Sequence, residues 1–460
     1  MKTVKIKSIK KIPPQNRYDL EIVGNHNFYA NDILVHNCAE IVEATGITKS
    51  QKDILNNKEL LDSLGLSEFY GRESVNETAV CNLASIALPK FVNKNKTYNF
   101  KKLYDVAYNA VINLNNVIDT NYYPSESAKF SNILHRPIGL GVQGLSDVFF
   151  MSGFAYDSEQ AKHLNKEIFE TIYYASIKAS CDLAKVDGAY TTYEGSPMSE
   201  GKFQFDLWNV TPTKRWDWDK LRLEVLEYGV RNSLTGCIMP TASTANILGN
   251  EASCEVQTSN MYTRGVLSGT FILVNKYLVK ELVKLGIWDD NIRRKIISEN
   301  GSVQNIPEIP TNLKEVFKTA YEIKQKNVID MAADRGAFVD QTQSMNIFMD
   351  SPNFAKLTAM HFHGWGRRSF MRADDGSPIL PKNKDIKVVY DKDGNPRFYK
   401  DERNSLKTGM YYLRNKAKSD AVKFTVQDDK NVEDQVSDLE TQMSDIACSL
   451  DDEDCLACGS

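Results

Sequence analysis

Long apolar runs, net charge and cysteine are all scarce in this sequence, and each scarcity removes a class of protein. No stretch of the 460 residues approaches the roughly 18 consecutive apolar residues that a membrane-spanning helix requires. The basic start MKTVKIKSIKK runs into PPQN rather than an apolar segment, so no secretory leader is expected. A formal net charge of −4 gives no sign of a nucleic-acid-binding surface. Eight cysteines are too few for a disulfide scaffold in a chain of this length, which points to the cytoplasm and to thiols that are catalytic, redox-active or simply buried. What is present, 42% hydrophobic and 25% charged residues, suits a soluble globular protein with a large core.

Charge is unevenly placed. Residues 1–37 hold six Lys and Arg against three Asp and Glu, whereas residues 427–460 hold eleven acids and a single Lys. That acidic tail has few large apolar residues and reads as a flexible arm, yet it ends in the cysteine pair Cys455 and Cys458.

The first 37 residues suggest short β-strands (TVKIKSI, YDLEIV, NFYA, ILV) broken by PPQN, GNHN and AND, too few to fold alone. From Cys38 onward the pattern turns to amphipathic helices, predicted near 52–65, 101–119, 157–186, 217–229, 269–285 and 313–335. Strand candidates lie between them, at 78–88 and 409–414, and the alternation predicts a large α/β domain. Residues 366–404 form a polar insertion in which the DG of VVYDKDGNPRFYK signals a β-hairpin.

The tripeptide His36-Asn37-Cys38 carries a chemical possibility. An asparagine amide can attack its own carbonyl and break the chain after itself, because both groups are held in one residue. A preceding histidine can move the proton, and a following cysteine supplies a nucleophile. Alone the tripeptide is an ordinary loop. In context, NRYDLEIVGNHNFYANDILVHNC resembles the C-terminal end of an intein, with that family's order of YDL, HNF and HN. The resemblance implies that Asp19 and His26 assist His36 and Asn37, that residues 1–37 are a small all-β fragment of a split intein, and that its complement lies on another polypeptide. The basic excess of 1–37 would then steer association with an acidic partner.

The remainder begins CAEIVE and continues through AVCNLASIALP, RPIGLGVQGLSD, TYEGSPMSEG, WNVTPT, MPTASTANILGN, TSNMYTRGVLSG, NGSVQNIPEIP, AADRGAFVDQTQSMNI, LKTGMYYLR and CLACGS. In this order these motifs resemble the C-terminal half of the large subunit of class I ribonucleotide reductase. The resemblance implies part of a ten-stranded α/β barrel over 38–426, followed by a redox tail over 427–460. It implies that Cys38 is the thiyl radical that takes the substrate's 3′-hydrogen, with Glu40 as the base for the 3′-hydroxyl. Cys81 would be one half of the reducing dithiol, its mate lying upstream. Tyr411 and Tyr412 would relay the radical from a metal-containing small subunit, so no cofactor is bound directly by this chain. Cys455 and Cys458 would re-reduce the site and be recharged by thioredoxin or glutaredoxin. Thr241, Ala242, Ser243 and Thr244, at a helix start whose free amides suit an anion, would hold the ribonucleoside diphosphate. The insertion at 366–404 departs from the family, where GW runs almost directly into LKTG.

Plainer readings stand beside these. Cys81 between strand-like residues is ordinarily core, as are Cys181, Cys237 and Cys254. Ser243 and Thr244 can simply cap a helix. Adjacent strand residues face opposite sides, so one of Tyr411 and Tyr412 would point in and the other out. Cys455 and Cys458 with His361 and His363 could make a zinc-binding interaction module. The chain could also dock unspliced as a subunit. Gly139, Gly141 and Gly144 spell the dinucleotide fingerprint, but NILHRP before them is no hydrophobic strand, and the motif is declined.

Overall fold

The computed structural model describes residues 27–30, 33–36, 51–266, 269–368, 371–372, 377–379, 386–392, 394–401 and 405–416. The chain divides into two compact units, Met1–Cys38 and Ala39–Ser460. In the first, β1 (Asn27–Ala30) pairs antiparallel with β2 (Ile33–His36), Asn27 opposite His36. These are the expected strands NFYA and ILV. The expected strands TVKIKSI and YDLEIV lie outside the described residues.

The second unit opens with two short helices, α1 (Gln51–Leu55) and α2 (Lys58–Ser63), before β3 (Asn82–Ala87). Two helices, α3 (Phe100–Thr120) and α4 (Glu126–His135), lead to β4 (Ile138–Gln143). Then come α5 (Leu145–Ser152), the long α6 (Glu159–Asp187), α7 (Gln204–Leu207), α8 (Trp218–Tyr228) and α9 (Ala242–Leu248). An antiparallel hairpin of β5 (Met261–Val266) and β6 (Gly269–Val274) precedes α10 (Lys276–Lys284), α11 (Asp290–Ser298), α12 (Thr311–Val316) and α13 (Gln325–Gly336). Next are β7 (Asn346–Met349) and α14 (Phe354–Gly364). The insertion carries β8 (Arg367–Arg368), β9 (Met371–Arg372), β10 (Pro378–Ile379), β11 (Lys387–Tyr390) and β12 (Pro396–Lys400), and β13 (Tyr412–Asn415) follows.

The strands that matter for function run parallel. β3 pairs with β4, Leu140 of β4 bridges Gly236, Ile238 bridges Gln343, and β7 pairs with β13, every pairing parallel. Five successive chain segments therefore lie side by side in sequence order, each joined to the next by helices. This is the helix-covered parallel arrangement that the alternating pattern predicts. β4 is buried along its whole length, as a central parallel strand should be.

Helix starts follow from capping chemistry. Asn99 accepts from the Lys102 amide at 3.0 Å to begin α3, and Ser158 from the Ala161 amide at 3.2 Å to begin α6. Leu103, Ala107, Val111, Leu114 and Ile118 recur at helical spacing on α3 and enter the main core. A smaller core gathers Leu278, Leu282, Ile292, Ile296 and Phe317 around Phe150.

Three sequence expectations need correction. The helix predicted over 269–285 begins as β6, because GTFILV pairs with MYTRGV before Asn275 caps α10. The helix predicted over 313–335 is two, α12 and α13, with 317–324 between them. The helix near 52–65 is likewise split, and Asn57 starts its second half by accepting from the Leu60 amide. In the insertion the hairpin is present, β11 against β12, with β8 as a third strand.

Candidate active site

The sequence IGLGVQ of β4 sorts its side chains by alternation. Ile138, Leu140 and Val142 enter the main hydrophobic core. Gly139 and Gly141 fall on the opposite face, where glycine lets other groups come close to the backbone. A Cβ on Gly139 would lie 2.5 Å from Cys237 Sγ, 2.5 Å from Leu83 Cδ2 and 2.9 Å from Cys81 Sγ. One on Gly141 would lie 2.6 Å from the Cys237 carbonyl oxygen and would also strike Met239 Sδ. The declined fingerprint thus has a structural reason: two of its glycines sit inside a strand, Gly139 clearing space for two thiols and Gly141 for Met239 and the Cys237 carbonyl, and only Gly144, at φ +80°, turns the chain into α5.

Cys81 immediately precedes β3 and is half-buried. Gln341 Nε2 reaches its Sγ at 3.8 Å and also donates to the Ile138 carbonyl at 3.0 Å. The Gln341 carbonyl accepts from Lys407 Nζ at 2.8 Å, as does the Asp340 carbonyl at 2.9 Å, and Lys407 also donates to the Val339 carbonyl. Burial draws the Lys407 ammonium down to about 8 in spite of the neighbouring Asp340. The Asp340 carboxylate is itself held by the Thr235 amide and hydroxyl and the Gly236 amide, each at 2.8 Å. This buried hub ties together the segments that lead into three neighbouring strands, including the one that carries Tyr411.

Tyr411 donates its amide to the Met345 carbonyl at 2.7 Å and lies in a bend just before β13, whereas Tyr412 is the first residue of that strand. The bend brings both rings together, with centroids 3.9 Å apart and an interplanar angle of 50°. Both are buried, so the in-and-out arrangement of a regular strand is not adopted. The Arg414 guanidinium lies 4.8 Å from the Tyr412 ring centroid.

The stretch Thr241 to Thr244 opens α9, with Ala242, Ser243 and Thr244 exposed. Thr241 takes a left-handed conformation, φ +53°, and its hydroxyl accepts from the Ser253 amide at 2.8 Å instead of capping its own helix. Gln143, at the end of β4, donates to Ser85 Oγ at 2.9 Å and reaches Thr244 Oγ1 at 3.5 Å. Beside this loop, burial raises the Glu255 carboxyl to about 7, burial and the neighbouring charges of Asp147 and Glu255 raise Glu251 to about 7, and burial raises Asp147 as well.

Asp19, His26, Asn37, Cys38, Glu40, Cys455 and Cys458 lie outside the described residues, and His36 ends β2. Cys181 and Cys254 are buried in the core, and burial raises both thiols, Cys181 to about 11. His363 Nε2 pairs with Asp330 at 2.6 Å, and among the described residues no group of three or more His, Cys, Asp and Glu gathers as a metal site. No described helix is long and apolar enough to cross a membrane. Sequence reasoning missed Gln341, Asp340, Lys407 and the role of Gly139. The signals available were the polar DQTQ and LKTG inside otherwise buried motifs.

Residues 23–368 match the family described as ribonucleotide reductase, barrel domain. The chain is 46% identical over 448 residues to the ribonucleoside-diphosphate reductase large subunit of Arabidopsis thaliana, covering 89% of this chain and 50% of that one. It is 46% identical over 414 residues to the Caenorhabditis elegans large subunit, covering 88% and 47%. Among solved structures, the class Id ribonucleotide reductase alpha subunit of Actinobacillus ureae aligns at 26% identity over 68% of this chain and 54% of that one, with a TM-score of 0.49. The chain spans about half the length of the curated relatives it matches. On the family match, which spans more than half of it, the chain belongs to the ribonucleotide reductase barrel-domain family.

Proposed function

We propose that this chain is the C-terminal half of a class I ribonucleoside-diphosphate reductase large subunit, made as a precursor and joined to an upstream half by protein splicing. Once joined, it reduces ribonucleoside diphosphates to 2′-deoxyribonucleoside diphosphates in the cytoplasm. The observation that carries the catalytic reading is Cys81, held on a glycine-cleared face and linked through Gln341 and Lys407 to the segment bearing the Tyr411–Tyr412 contact. Leu83 on the same face is 44% exposed, which suits a surface that the upstream half would cover.

In this reading Cys38, as a thiyl, takes the 3′-hydrogen of the ribose while Glu40 takes the proton of the 3′-hydroxyl. The 2′-hydroxyl leaves as water. Cys81 and its upstream mate supply two electrons and end as a disulfide. Cys455 and Cys458 return that disulfide to thiols by exchange and are themselves reduced by thioredoxin or glutaredoxin. Tyr411 and Tyr412 carry to Cys38 the oxidising equivalent held by a metal-containing small subunit. Exposed Ser243 and Thr244, with the first amides of α9, hold the diphosphate.

Splicing supplies Cys38 to the active site. Asn37 cyclises and breaks the chain after itself, assisted by His36, with Asp19 and His26 behind them. Cys38 becomes internal to the joined protein. The reading is tested by combining the chain with its upstream half, the small subunit and a reductant, and measuring deoxynucleotide formation. Wild type should turn over and Cys81→Ser should fall to background; a Cys81→Ser enzyme that still turns over would remove Cys81 from the dithiol.

A further inference from the structure

We propose that Cys81 and Cys237 form a second redox pair inside this chain, closing to a disulfide by exchange with a small-molecule disulfide. The sulfurs lie 2.9 and 2.5 Å from one point, the place a Cβ on Gly139 would occupy, and so are no more than about 5.4 Å apart. Both are thiols in the structure. They stand on the two segments that flank β4, and Gly139 between them presents only its backbone. Any larger residue there would wall one sulfur off from the other.

The pair is also differentiated by access. Cys81 is half-buried and meets a small oxidant first, whereas Cys237 is fully buried and can only resolve what forms on Cys81. A small disulfide RSSR reacts with Cys81 to give Cys81–S–S–R and one RSH. Cys237 then attacks the Cys81 sulfur, expels the second RSH and leaves the Cys81–Cys237 bond, so two thiols are oxidised and one disulfide is reduced. Closure needs the sulfurs to approach about 2.05 Å. Cys81 has the latitude for this because it precedes Asn82, the first residue of the β3–β4 ladder. Because the bond draws together two strands separated by a third, it should be readily reduced.

The inference needs neither splicing nor turnover. Its consequence for the joined enzyme, a third thiol able to exchange with the Cys81 disulfide, rests on the function proposed above. The full chain carrying Cys455→Ser and Cys458→Ser, which removes the tail thiols proposed above to exchange with Cys81, is treated with hydroxyethyl disulfide, remaining thiols are blocked, and the protein is digested without reduction and mapped by mass spectrometry. The expected product is a peptide pair joined through Cys81 and Cys237, with Cys181 and Cys254 recovered as blocked thiols. In Cys237→Ala the same treatment should leave Cys81 carrying the hydroxyethyl group, a readout that a purely structural Cys237 would not change. With Cys237 in place, Cys81 recovered as the mixed disulfide, as a thiol, or joined to any other cysteine would overturn the proposal.

Discussion

The ring of Tyr411 meets the ring of its chain neighbour Tyr412 at 3.9 Å between centroids, an approach that two consecutive residues of a regular strand cannot make. The bend at Tyr411, fixed by the hydrogen bond its amide donates to the Met345 carbonyl, is what permits it. Tyr411→Phe keeps the ring and removes only the phenol, so stability should change by less than about 1 kcal/mol. Deoxynucleotide formation by the joined enzyme should nevertheless fall by more than about a hundredfold, as when a proton-transferring group is lost. Parallel urea unfolding and turnover measurements check both halves of the expectation.

Lys407→Met would leave the carbonyls of residues 339, 340 and 341 without their shared donor and Asp340 without its cation. A loss of about 2–4 kcal/mol is expected from removing a buried ammonium that three main-chain carbonyls share. Lys407→Arg should recover only part of it, since the fork of a guanidinium does not reproduce three bonds from one nitrogen. Denaturant midpoints of the three chains measure the order.

Gly141→Ala should be more damaging than its single methyl suggests. The new Cβ would lie 2.6 Å from the Cys237 backbone oxygen, which cannot rotate away, and the cost should be about 1–3 kcal/mol. The thermal midpoint should drop accordingly, and Cys81 should become more reactive toward a thiol reagent as β4 shifts.

Glu251 and Glu255 make stability depend on pH in a definite direction. Their folded pKa values, about 7, lie above the ordinary 4.5, so the folded state binds protons more tightly than the unfolded one. Their contribution is fully present below about 4.5 and is lost as pH rises through about 7. Each group alone is worth on the order of 3 kcal/mol over that range, and less than twice that together, because they repel each other. Carboxyls held low by lysines, such as Glu68 and Glu224, titrate below this window. Urea midpoints should fall between about pH 5 and about pH 8. Glu255→Gln should flatten the fall.

Much of this could be read from the residues alone, for physical reasons that differ by element. The 3.6-residue period of α3 and α8 is one-sided, and α6 is long, so their positions followed from pattern. The run GTFILVNKYLVKELVKLG merges a strand and a helix because both are apolar at the join, and only pairing with MYTRGV separates them. β4 was hidden because half its face is glycine, which reads as a loop until Cys81 and Cys237 are seen to occupy the space. Lys407 and Gln341 look like surface residues in sequence. Their burial depends on carbonyls supplied by segments about 66 and about 203 residues away, contacts that no local pattern contains.

One measurement bears most directly on the central claim, that this chain is half of a reductase completed at Cys38. The intact mass of the chain is recorded before and after mixing with the upstream fragment that carries the complementary splicing element. The account predicts a ligated product that has lost residues 1–37 and holds Cys38 in an internal peptide, and that product should form deoxynucleotides where its Cys38→Ser counterpart does not. An unchanged mass for both partners, with the bond between Asn37 and Cys38 intact, would contradict it.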